Sequence, residues 1–247
     1  SVTGVQTCAL PILTTTEIGA MTATQIAAFS ATSIAGLTGD QIGSLTTTQL
    51  GALTATEIGG LSTTAVSGLT ATEFSALTTT QFTAISATGM AGLSTTQVAG
   101  LTTTQLASLT ATELYGLTAT QVGALTASQF ASLTSTMISD LSATGVSGLT
   151  TTQIDELTLT QIAGLRSTQI GALTTTAVAE LSSTDIAALT VDQLAGLVRM
   201  QLRSLTSTQV GALSTTQIAA LTTTQAANLS STEISEMRSE EHTSELQ

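Results

Sequence analysis

The sequence has no tryptophan and no lysine, and only one residue each of cysteine, proline, histidine and tyrosine. Aromatic residues make up 2 % of the chain and charged residues 8 %, so it lacks the bulky side chains of an ordinary globular core. Four arginines against sixteen carboxylates leave a formal charge of −12, which argues against a nucleic-acid partner, because phosphate contacts need clustered Lys and Arg. Mean hydropathy is positive, yet Thr- and Gln-rich stretches break every apolar run well short of the ~18 residues a membrane span requires. No transmembrane segment is expected.

What the chain has in abundance is a tandem repeat. Leu45, Leu53, Leu61, Leu69 and Leu77 stand eight residues apart. The register runs back through Leu37, Phe29 and Met21 to Leu13, and forward through Ile85, Leu93 and Leu101 to Leu229. About 28 repeats follow one another from Leu13 to Glu236 without an insertion. The repeat reads L-[ST]-x-T-[QE]-[IVLF]-[AGS]-[AGS], as in Leu53-Thr54-Ala55-Thr56-Glu57-Ile58-Gly59-Gly60.

Both ends break this register. Gly4 to Ile12 can be encoded by GGA GTT CAG ACG TGT GCT CTT CCG ATC, and Arg238 to Gln247 by AGA TCG GAA GAG CAC ACG TCT GAA CTC CAG. One string is the reverse complement of the other over their shared length. Both resemble a common short-read sequencing adapter, translated in opposite orientations. Residues 1–12 and 237–247 are therefore read as adapter-derived flanks and 13–236 as the repeat array. Cys8, Pro11 and His242, each the only one of its kind, all fall in the flanks.

Inside one repeat the spacing matches a helix start. With Thr54 as N-cap, Glu57 falls at the third helical position, completing a capping box, while Leu53 and Ile58 take the two positions of a hydrophobic staple. Nearly every repeat has Ser or Thr at the cap, Arg166 and Val198 being the exceptions. Small residues such as Gly51-Ala52 and Gly59-Gly60 follow, and glycine there is expected to close the helix in the left-handed conformation. The predicted fold is all-α, a solenoid of very short capped helices, one per eight-residue repeat. A single continuous helix does not fit, because eight residues advance ~800° and the Leu stripe would drift ~80° per repeat. The alternative is a β-solenoid with sixteen-residue coils, favoured by the Thr, Val and Ile content. Against it, the first and sixth positions have opposite parity and would face opposite sides of a strand.

A lone repeat buries two large apolar side chains worth roughly 1.5–3 kcal/mol apiece, far short of the entropy cost of ordering eight residues. Repeats must therefore stack, and the small residues at positions seven and eight would let backbones approach closely. The expected result is an elongated array whose partners, within the chain, are neighbouring repeats.

No catalytic residue, cofactor or metal ligand set is expected: the array has neither His nor Cys, and its hydroxyls lack a base to activate them. Glu17, Glu57, Glu73, Glu113 and Glu233 take the capping position. Asp140, Asp155, Glu156 and Glu180 sit at positions seven and eight and, with Asp185 and Asp192, form an acidic stretch that reads as solvated surface rather than a Ca²⁺ site. The most divergent repeat, Leu197 to Ser204, loses its capping Thr and gains Arg199 and Arg203. A regular array would also display ladders of Thr hydroxyls.

The Leu-Thr-x-x-Gln-Ile register from Leu13 to Glu236 resembles the short tandem repeats of large bacterial repetitive proteins, adhesin-like and RTX-like secreted proteins among them. The resemblance implies a non-enzymatic spacer or stalk on the cell surface or outside the cell, its length set by copy number. A binding solenoid with a groove lined by Tyr115, Arg199 and Arg203 is the alternative, and an ice-binding Thr surface a lesser one.

Overall fold

The computed structural model describes residues 13–229. Both adapter-like flanks lie outside the described residues, as do Glu233 and Glu236. The described chain holds twenty-seven α-helices, from Thr15–Ala20 to Thr223–Ala226, one per repeat and none longer than six residues. No strand occurs among the described residues, which overturns the β-solenoid alternative. The helix-start chemistry in each repeat outweighs the strand preference of Thr, Val and Ile.

That chemistry is visible at Thr54. Its backbone N–H donates to Glu57 Oε2 at 2.6 Å, and the Glu57 N–H donates back to Thr54 Oγ1 at 3.3 Å. The same reciprocal pair recurs with Gln at Thr46 and Gln49, at Thr118 and Gln121, and at Thr206 and Gln209. Arg166 and Val198 keep only half of it. Their backbone N–H groups donate to Gln169 and Gln201, but neither side chain offers an acceptor to the helix.

The expected left-handed glycine at each helix end does not occur: no described residue has positive φ. The turn is made by two successive extended residues, the Leu at position one and the cap after it. Leu69 has φ −61° and ψ 128°, and Thr70 has φ −68° and ψ 160°. The Leu69 N–H still closes the preceding turn by donating to the Val66 carbonyl at 3.2 Å. A corner built this way needs no residue free of a Cβ.

Glycine answers a different demand. A Cβ on Gly68 would collide with the backbone of Gly39, and one on Gly196 with the backbone of Ser167. Both pairs join a position-eight residue to the start of a helix three repeats earlier, so the close backbone approach expected of small residues is present. The chain divides into two compact parts, Ser1–Ser132 and Leu133–Gln247. In the first, Gly39–Ile42 packs on Thr63–Gly68 and Ala87–Met90 on Ala111–Gly116; in the second, Ser135–Asp140 packs on Leu159–Gly164 and Ser167–Ile170 on Val191–Ala195. Each is a contact between helices three repeats apart. Position-one Leu and position-six Ile, Val, Leu or Phe fill the core of both parts, with Phe82 and Phe130 completely enclosed.

Candidate functional site

The most highly organised polar feature of the chain is a column of glutamines at position five. Apart from Gln25, which is exposed, and Gln105, which is half-buried, these glutamines are almost fully buried, which is unusual for a neutral amide on a helix of four to six residues. The buried amide is used at both ends. In Gln121, Oε1 accepts from the Thr118 N–H at 2.8 Å, while Nε2 donates to the carbonyls of Met90 at 2.6 Å and Leu93 at 2.8 Å. Those carbonyls belong to the sixth position of the repeat four back and the first position of the repeat three back. The amide thus clamps the corner between two earlier repeats onto the cap of its own.

The pattern repeats through both parts. Gln49 reaches Ile18 and Met21, Gln81 reaches Leu50 and Leu53, and Gln129 reaches Val98 and Leu101. In the second part Gln169 reaches Ile138 and Leu141, Gln193 reaches Ile162 and Leu165, and Gln217 reaches Ile186 and Leu189. Each of these carbonyls sits at a helix end, where the fourth-residue partner of an ordinary helix is missing. The glutamine column therefore adds a second donor to position-six carbonyls, which already accept from the N–H three residues on, and gives position-one carbonyls a donor that their own short helices do not.

The sequence reading gave these glutamines a capping role and missed the cross-link. A signal was present: a capping box accepts Glu as readily as Gln, yet Gln outnumbers Glu at position five. Glutamate fills the slot without the second donor. In Glu113, Oε2 accepts from the Thr110 N–H and hydroxyl, both at 2.6 Å, and Oε1 is buried with no hydrogen-bond partner. Glu57 and Glu73 are buried in the same position. At the exposed first repeat, hydrogen bonds from the Thr14 backbone and then its hydroxyl hold Glu17 below the usual carboxylate range, working against slight desolvation.

The acidic stretch does not converge on a point. Asp140 faces Arg166 at 3.6 Å across the surface. Asp185 is a capping residue, its Oδ2 accepting from the Ser182 N–H at 2.9 Å, and so belongs with the capping glutamates rather than with the corner carboxylates. Asp155, Glu156 and Glu180 are exposed on two helices that pack together, and Asp192 is exposed in the first turn of Val191–Ala195. Among the described residues no group of three or more His, Cys, Asp or Glu is placed to hold a metal ion. No described helix is long and apolar enough to cross a membrane. Tyr115 lies exposed on Ala111–Gly116 in the first part, whereas Arg199 and Arg203 lie at the two ends of one turn in the second. The open hollow beside Ser135, Ser139, Thr160 and Gly164 has a volume of about 300 Å³ and is lined by hydroxyls and small residues.

No curated protein matches the chain. A family model described as the ALTTAQ repeat matches residues 162–198 and 200–231, so over these stretches the tandem repeat is similar to that family's.

Proposed function

We propose that the array is a solenoid serving as a structural spacer, a non-enzymatic stalk segment of a longer repetitive protein displayed outside the cell or on its surface. The observation that carries this reading is the use to which the repeat's distinctive side chains are put. Leu and Ile fill the core, Thr caps the helix, and buried Gln, where it stands at position five, joins its repeat to those three and four before it. What remains for solvent is a near-uniform covering of Thr, Ser and Ala, repeated from one end to the other. A binding groove varies its exposed residues from copy to copy, whereas a spacer needs only to repeat them. The absence of Cys and His from 13–236 leaves such a stalk indifferent to redox state and to loss of metal.

Two measurements test the proposal together. Chains lengthened by three and then six repeats should gain a constant increment of maximum dimension in small-angle scattering. Their melting temperature should rise and then level off. A glycan array or lysate pull-down that returned one reproducible, saturable ligand would replace the spacer by a binding solenoid.

A further inference from the structure

The two repeats that lack a capping hydroxyl are neighbours in space. Arg166 and Val198 are the N-cap residues without a side-chain cap among the described helices, and they lie four repeats apart. Gln201, in the repeat of Val198, donates to the Ile170 carbonyl at 2.8 Å, in the repeat of Arg166. Gly196, just before the Val198 corner, abuts the Ser167 backbone next to Arg166. Irregular side chains collect here. Val198 is 48 % exposed and Met200 64 %, and Arg166, Arg199 and Arg203 are all the cations of the described residues. Arg166 is engaged with Asp140, while Arg199 and Arg203 form no ion pair with any described residue.

The helix carrying these two arginines, Arg199–Leu202, packs on Thr175–Glu180, which in turn packs on Thr151–Asp155. Down this stack of three, the exposed charges at the C-terminal ends are Arg203, then Glu180, then Asp155 and Glu156, with Arg199 one turn before Arg203. Helix layers are about 8–10 Å apart, so the two arginines and the last two carboxylates are separated by roughly two layers. That exceeds the ~8 Å screening length at physiological salt. The two ends therefore do little to neutralise each other, but both are met when a second copy lies antiparallel on the same face.

We propose that this three-helix stack is a self-association surface. A second copy docks about a two-fold axis, bringing its Asp155 and Glu156 onto Arg199 and Arg203 of the first. The same contact is made in reverse, and Val198 and Met200 are covered at each. The charge of −12 on the chain opposes any other close pairing, since these arginines are its only described cationic patch.

Sedimentation equilibrium on the full chain tests the assignment. The expected result is a reversible dimer that weakens as salt is added. The pairs Arg199→Glu with Arg203→Glu, and Asp155→Arg with Glu156→Arg, each weaken it by roughly tenfold or more. These four side chains are exposed, so circular dichroism of both variants should match the parent. Mixing the two variants should restore a heterodimer, because both contacts are complementary again. A chain that stays monomeric at low salt, a dimer indifferent to the arginine reversals, or a failure of the mixture to associate overturns the proposal. A monomer that captures a polyglutamate peptide through Arg199 and Arg203 also overturns it, in favour of an acidic partner.

Discussion

The repeats that begin at Leu109 and Leu117 follow one another in the chain and differ at position five, with Glu113 in one and Gln121 in the other. Both side chains are 2 % exposed, both cap a helix through threonine, and both leave a second polar atom pointing away from the cap. In Gln121 that atom donates to two carbonyls of earlier repeats; in Glu113 it is an oxygen without a partner. By the register of the array, the carbonyls of Phe82 and Ile85 stand where Gln121 finds Met90 and Leu93. The cap needs only an acceptor and tolerates either residue. The cross-link needs a donor, and only the amide carries both.

The largest effect should come from removing the donor where it is used. Gln121→Leu leaves the Leu93 carbonyl and the Thr118 N–H without this partner and the Met90 carbonyl with only the Leu93 N–H, at a cost of about 2–4 kcal/mol. Native-state hydrogen exchange around residues 90–93 and 118–125 should show the loss locally, since repeat arrays open in parts. Unchanged protection there would refute the clamp. The reverse exchange, Glu113→Gln, supplies a donor to a buried unpaired site and should stabilise by about 1–2 kcal/mol in urea unfolding. A neutral or destabilising result would mean that the Leu109 repeat has another way to satisfy its carboxylate. Caps should not distinguish the two repeats. Thr110→Ala and Thr118→Ala are each expected to cost about 1 kcal/mol, and a twofold disparity would break the equivalence of the boxes.

The smallest expected effect is at Glu17, where the same box is exposed to solvent. Its lowered pKa means that the hydrogen bonds favour the folded chain while the carboxylate is ionised. This contribution is present above the pKa of the unfolded chain and is lost as pH falls through the lower folded value. An NMR titration should place the Glu17 midpoint below that of an ordinary glutamate, and Thr14→Val, which removes the hydroxyl but keeps the stronger backbone N–H bond, should raise it only part of the way.

Much of the local structure was legible from spacing alone. Thr54, Glu57, Leu53 and Ile58 announce a cap, a box and a staple within six residues, and the helix Ala55–Gly59 stands where they place it. The corner was read from the wrong residue. Gly59 and Gly60 suggested a left-handed turn, but the Leu-Thr pair reverses the chain in extended conformation, and glycine at Gly68 or Gly196 instead makes room for backbone three repeats away. Arg166 and Val198 were each visible as lapses in the cap, but nothing in a string of letters brings residues four repeats apart onto one face. Glutamine was half read for the same reason. Its Oε1 acts within three residues, whereas its Nε2 acts 28 and 31 residues back.

The sequence by itself determined the length of the repeat, the helix in each, the apolar positions that enter the core and the lack of His and Cys in 13–236. These follow from interactions spanning no more than eight residues, which a one-dimensional pattern records completely. Tertiary structure alone decided that, within each part, helices pack on those three repeats along, that corner carbonyls receive a donor from the amide of a later repeat, and that Glu113 lacks this donor. The physical reason is that helices of four to six residues leave many of their own polar groups unpaired, and only the return of the chain against itself supplies partners for them.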